Sequence, residues 1–202
     1  MNVLVCCEES QVVCSAFRSR GHNAFSCDLR RCTGHHPEWH IRCDALACLG
    51  KNVAFRTCDG KLHFVFQWDM IIAHPPCTYL SAAGSNQLYP RPGVIDENRY
   101  ALGVAAREFF MRFYDFDCDR ICVENPRPCR VFCLPERSQV IEPYFFGDPY
   151  TKRTYLWLKG LPLLQSTDLC SPVCSWTALH FSASVRSKTF PGVAAAMVEQ
   201  WG

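Results

Sequence analysis

The chain has 202 residues, 49% of them hydrophobic, with 21 Lys and Arg against 19 Asp and Glu and a net charge of +2. That length suits one domain able to bury a full core without disulfides or metal, and the near-balance of charge excludes a binder of nucleic acid by bulk charge, leaving room only for a local basic face. Fifteen cysteines raise a disulfide or zinc scaffold, yet Met1-Asn-Val-Leu-Val-Cys-Cys-Glu has no basic n-region and no apolar stretch reaches membrane-spanning length, so the expectation is a soluble protein of a reducing cytoplasm.

Asn2 to Cys7 is an apolar run, and Val12, Val13, Ala16 and Phe17 then recur at helical spacing until Arg20-Gly21. Asn23 to Cys27 predicts a second strand ending at Asp28, so the two strands should be parallel with a right-handed crossover. Further strands are predicted at His40 to Cys43, ending at Asp44, and at Trp68 to Ala73. Between them, Val53 to Phe66 alternates about Asp59-Gly60, a hairpin signal read as an insertion on the sheet's edge. Asp96 to Tyr114 predicts a helix whose apolar face is Leu102, Ala105, Ala106, Phe109 and Phe113. Arg120 to Val123 predicts a strand ending at Glu124-Asn125-Pro126, followed by a Pro-rich connection and strands near Gln139 to Tyr144 and Thr154 to Leu158. Residues 161–187 read as irregular, and Pro191 to Trp201 as a closing helix.

The segment Trp68-Asp-Met-Ile-Ile-Ala-His-Pro-Pro-Cys77 carries the most information. A buried parallel strand is a continuous apolar run, and prolines cannot continue its ladder, so Cys77 is delivered to the carboxyl rim, where open α/β sheets bind ligands. The other strand ends deliver Glu8 and Glu9, Asp28, Asp44 and Glu124 to the same rim.

Pro75-Pro76-Cys77 followed by Glu124-Asn125-Pro126 at the end of the next strand resembles the cytosine-5 DNA methyltransferase family. The match runs in order through Cys7 to Gln11, Asp28, Asp44, Cys77, Glu124-Asn125, Phe146-Gly147-Asp148-Pro149 leading to Lys152-Arg153, and Thr189 to Gln200. The resemblance implies a Rossmann-like class I methyltransferase fold of the α/β class, a mostly parallel doubly wound sheet with one antiparallel strand, formed by residues 1–202 as a single domain. It implies Cys77 as nucleophile and Glu124 as the acid that holds the base, with Pro76, Asn125 and Arg153 beside them. S-adenosylmethionine is the implied cofactor, contacted by Cys7, Glu8, Glu9, Ser10, Asp28, Leu29, Asp44, Ala45, Pro75 and Thr189. Of these, Asp28 would meet the ribose and Asp44 the adenine amino group. DNA is the implied partner, and such short forms resemble proteins encoded by phages and mobile elements, acting in a bacterial cytoplasm.

The chemistry agrees with those residue types. Carbon 5 of cytosine is a poor nucleophile, and thiolate addition to carbon 6 makes an enamine that can take a methyl from a sulfonium donor. A carboxylic acid beside ring nitrogen 3 neutralises the charge that develops. Two departures stand out. Glu8-Glu9-Ser10-Gln11 has none of the glycines that bring a backbone close to a cofactor, although one of its acids can meet the ammonium of a methionine moiety. The segment near 161–187 offers only about 25 residues where the family's DNA enzymes carry a large recognition region, too few for a base-reading domain. The Asp59-Gly60 hairpin or the loop Ser81 to Ile95 is left to contact substrate.

Plainer readings stand beside these. Cys77 can be a small core residue, the rim acids turn or helix caps, and Lys152-Arg153 solvated surface. The shortened recognition segment leaves open a free nucleotide or RNA as substrate, and the glycine-free loop a catalytically silent module that binds nucleic acid or protein. For zinc, Cys170-x3-Cys174-x5-His180, Cys129-x3-Cys133 and the group Cys27, Cys32, His35, His36, His40 and Cys43 offer ligands, but none has the paired two-residue spacing of a ribbon or finger, so no metal is expected.

Overall fold

In the computed structural model, residues 1–179 and 182–202 are described. The amino-terminal half forms β1 (Asn2–Cys6), α1 (Val12–Ser19), β2 (Asn23–Asp28), β3 (His40–Arg42), β4 (Val53–Arg56), β5 (Leu62–Val65), β6 (Met70–Ala73) and α2 (Ser85–Leu88). The remainder forms α3 (Glu97–Tyr114), β7 (Ile121–Pro126), β8 (Gln139–Ile141), β9 (Tyr150–Thr151), β10 (Thr154–Lys159), β11 (Cys174–Ser175), α4 (Trp176–Leu179), α5 (Ala183–Arg186) and α6 (Pro191–Trp201).

Seven strands make one sheet in the order β3-β2-β1-β6-β7-β10-β8. The first five pair in parallel, while β10 runs antiparallel to both β7 and β8. The fold is thus α/β around a mostly parallel mixed sheet. Strand alternation splits the core into two layers. Val3, Val5, Met70 and Ile72 pack against Val13 and Phe17 of α1 and Met197 and Trp201 of α6. Leu4, Cys6, Ile71 and Ala73 pack the other way, against Phe110 and Phe113 of α3. Among the described residues, no helix is long and apolar enough to cross a membrane.

Four expectations change. The Asp59-Gly60 hairpin forms, with Gly60 at φ +87° closing a turn onto Thr57, but β4 and β5 are a separate two-stranded sheet. It touches the main sheet's edge through the Cys58 amide, which donates to the His40 carbonyl at 2.8 Å, and packs Phe55 and Val65 into the core. On α3 the buried residues are Gly103, Phe110 and Phe113, while Leu102 is exposed. A side chain at position 103 would run into the Phe132 ring, so glycine lets the helix turn that face inward. Strand β7 continues through Glu124, Asn125 and Pro126 because β10 pairs with it, Glu124 opposite Leu156. Finally, the stretch near 161–187 contains β11, α4 and α5, with β11 pairing in parallel with β9.

Candidate active site at the carboxyl rim

The strand order reverses between β1 and β6, so the connections leaving their carboxyl ends diverge and open a crevice there. The His74 amide donates to the Cys6 carbonyl at 3.0 Å, fixing the two ends side by side. Pro75 and Pro76 then break the ladder, and amides of Leu80 and Ser81 turn back onto the Cys77 carbonyl. Cys77 is half-buried at this bend.

Glu124 lies on the adjacent β7. Its Oε2 is 2.9 Å from Nδ1 of His74, with side-chain exposures of 13% and 8% for the two residues. Burial works against the charge on Glu124, but the His74 hydrogen bond and the electrostatic attraction of His74 and Lys152 hold its carboxyl below the usual range. The Asn125 amide donates to the Pro75 carbonyl at 2.7 Å, clamping the Pro-Pro segment to β7. Burial pushes the Cys77 thiol up and the charge of Glu124 adds to it, while Lys152 and Arg186 pull it back. Nucleophile, acid and two cations therefore share one electrostatic neighbourhood. Glu124, Lys152, Thr154 and Thr189 also line a cavity of about 20 Å³ beneath it.

The cation of the 152–153 pair that joins this group is Lys152. Arg153 points away, its side chain 70% exposed and its Nε 3.3 Å from Glu142. Lys152 Nζ donates to the Lys188 carbonyl at 3.0 Å, and burial lowers its pKa. His74 was visible in sequence only as the first polar side chain leaving a buried strand. Its Nε2 is buried without a hydrogen-bond partner among the described residues.

The second half of the rim gathers Cys7, Asp28 and Asp44. Burial and the charges of both aspartates raise the Cys7 thiol to about 12. Each aspartate is a turn or cap residue as well, Asp28 Oδ1 accepting from the Arg30 amide and Asp44 Oδ1 from that of Leu46. Among the described residues the second oxygen of each makes no hydrogen bond, and Leu29 beside them is 70% exposed. Acceptors beside an open apolar side chain fit a nucleoside. Ala45 is instead buried in the core, and Thr189 belongs to the Glu124 side of the rim.

The loop between β1 and α1 makes its sharp turns without glycine, placing Cys7 at φ +58° and Gln11 at φ +61°. Such left-handed residues cost about 1 kcal/mol each, and Gln11 is secured by hydrogen bonds to Ser26 and to the His36 carbonyl and amide. Ser10 is buried within the same loop. Glu8 does not face a ligand. Its carboxylate accepts from the Val13 and Cys14 amides at 2.6 and 3.2 Å, capping α1, and is only 4% exposed. Glu9, 3.5 Å from Arg30, is the acid left near the rim.

Burial raises Glu8 from 4.5 to about 7, even though His74 and the two amides favour its charge. An acid raised on folding contributes stability that is complete below its unfolded value and lost as pH rises through its folded value. We expect the chain to lose roughly 3 kcal/mol between about pH 4.5 and 7.5 from this group. Urea melts across that range check it; a Glu8→Gln variant should lack this part of the slope, and an unchanged slope would reject the assignment.

Neither a protein-family model nor a curated protein matches this chain.

Among the described residues, the histidines beside Cys27 and Cys43 do not join them. His36 stacks on Trp39 at 3.8 Å, and both His40 nitrogens are engaged, by Ser26 and the Arg30 carbonyl. His180 lies outside the described residues. Cys27 and Cys43 do meet, joined by Cys48.

Proposed function

We propose that this chain is an S-adenosylmethionine-dependent methyltransferase acting on carbon 5 of cytosine in DNA. The observation that carries the reading is that Cys77, four residues beyond β6, lies within the electrostatic reach of Glu124 on the adjacent strand, which His74 holds, and of Lys152. A mostly parallel sheet with one reversed strand also supports the class I methyltransferase architecture.

The chain's residues divide the work as follows. Ionised Glu124 can only accept hydrogen bonds, which suits the 4-amino donor of cytosine and repels the carbonyl of thymine at the same place. The Cys77 sulfur bonds to carbon 6, and the displaced electron pair moves into the ring as nitrogen 3 takes a proton by way of Glu124. Lys152 and Arg186 favour the thiolate that this attack requires. Asp28, Asp44 and Leu29 would hold the nucleoside part of S-adenosylmethionine, and Glu9 its ammonium. The bound cofactor supplies an electrophilic methyl group. Water takes the carbon 5 proton, nitrogen 3 returns its proton to Glu124, and Cys77 is expelled as thiolate, which restores the aromatic ring.

A polymeric substrate is favoured by a cleft of about 450 Å³ lined by Arg127, Arg130, Arg137, Tyr155 and Trp157. None of these arginines has an ion-pair partner among the described residues, and Arg137 lies 4.6 Å over the Tyr155 ring. The cleft adjoins the Cys77 loop, since the Ala82 amide donates to the Arg127 carbonyl and the Cys129 amide to that of Leu80. Guanidinium groups without an ion pair, along a cleft that adjoins the Cys77 loop, fit a phosphate backbone. Replacing all three arginines by Ala should weaken DNA binding and flatten its dependence on log salt by about 2 to 3. An unchanged slope in fluorescence anisotropy would place DNA elsewhere.

The function itself is tested by incubating the protein with methyl-labelled cofactor and duplex DNA. Label in 5-methylcytosine is expected; methylation of free cytidine nucleotides in preference to the duplex would overturn the DNA assignment.

A further inference from the structure

Three thiols that the proposed reaction leaves unused meet at the far side of the rim. Cys27 is near the end of β2, Cys43 just beyond β3, and Cys48 ends the short 3-10 turn Ala45–Cys48. Their sulfurs are 3.7 Å (Cys27 to Cys43), 3.6 Å (Cys27 to Cys48) and 3.3 Å (Cys43 to Cys48) apart. Cys27 and Cys48 are buried, and Cys43 is half-buried. Thiols are weak hydrogen-bond donors and acceptors, so three of them facing one another gain little by mutual hydrogen bonding. Sulfurs about 2.3 Å from a tetrahedral zinc lie about 3.8 Å apart, and the observed triangle needs to open by only a few tenths of an ångström to reach that size.

The ligands are also held in place before any ion arrives. Cys27 is fixed by pairing with both Cys6 and Ile41. The Cys48 carbonyl accepts from the Trp68 indole at 2.8 Å, and Asp44 caps the turn that carries Cys48. Rigid elements bearing convergent soft ligands are what a metal site requires.

We propose that Cys27, Cys43 and Cys48 form a three-thiolate site for a thiophilic divalent cation of the zinc class, with water in the fourth position on the half-exposed side of Cys43. Binding converts three thiols to three thiolates and releases three protons to solvent, with no change in oxidation state. The spacing, with fifteen residues between the first two ligands and four between the last two, lacks the paired pattern by which zinc sites are read from sequence. Asp28 and Asp44 each follow a ligand by one residue, so the ion would tie together the two aspartates of this half of the rim. The inference does not rest on the methyltransferase reading.

Cobalt titration of the reduced, chelator-treated full chain is the test. Thiolate-to-cobalt charge-transfer absorption in the near ultraviolet should saturate at one cobalt per chain and be displaced by zinc. Cys43→Ser and Cys48→Ser should each weaken binding roughly 100-fold or more, beyond the 10–100-fold typical of losing an outer-shell partner. Cys133→Ser, at an exposed cysteine elsewhere, should leave it unchanged. A wild-type chain that takes up no cobalt overturns the proposal whatever the variants do. So does charge-transfer absorption that persists in both serine variants, which would assign the metal to other cysteines.

Discussion

Cys77→Ala should lower methyl transfer to DNA by roughly 10⁴-fold or more, the scale seen when a covalent nucleophile is removed and only binding and electrostatics remain. The argument rests on position as well as residue type. Most buried cysteines of this chain are packed among apolar side chains in the two core layers. Cys77 instead follows two prolines at the switch point, and its thiol is tuned by one acid and two bases. The substitution removes a half-buried sulfur from a bend held by backbone hydrogen bonds, so stability should change by less than about 1 kcal/mol. Duplex DNA carrying 5-fluorocytosine sharpens the test, because the adduct cannot lose fluorine as a proton is lost. The wild-type protein should form a complex with it that survives denaturing electrophoresis, and Cys77→Ala should not. A Cys77→Ala protein that methylates at the wild-type rate would end the covalent mechanism.

What the sequence revealed and what it hid follow from the range of the interactions. Strands β1, β2, β6 and β7 are short apolar runs closed by polar or proline residues, signals contained within a few neighbours. The rim acids and Cys77 followed from those strand ends. The facing of individual side chains did not, because it is decided by partners far along the chain. Glu8 reads as a ligand until α1 is seen to take both its oxygens. Arg153 reads as the cation beside the base until Lys152 is seen to reach inward to the Lys188 carbonyl. The extension of β7 through Glu124 depends on pairing with a strand some thirty residues later. The Cys27, Cys43 and Cys48 triangle spans two strands and a turn, so no local spacing betrays it.

Glu124→Gln should reduce methyl transfer by about 10²–10⁴-fold, the range for removing a general acid, while leaving cofactor binding near wild type. The acid has two tasks with opposite protonation states. Ionised, it accepts from the cytosine amino group; protonated, it passes a proton to nitrogen 3 as Cys77 adds. The free chain favours the first state, because His74 and Lys152 outweigh the effect of burial. Because the Cys77 thiolate grows with pH while protonated Glu124 shrinks, the rate should rise with pH up to the Glu124 pKa and level off above it. His74→Phe removes the hydrogen bond and the electrostatic attraction of His74 together, leaving burial as the dominant influence, so the carboxyl pKa should rise. The break in log kcat/KM should therefore move to higher pH in His74→Phe, and less far in His74→Gln, which keeps a neutral donor. His74 is a positioning residue on this reading, since it acts on the base only through Glu124. A merely structural histidine would lower the rate at every pH and leave the break where it was, an outcome that would separate Glu124's charge from the contact that is argued to set it.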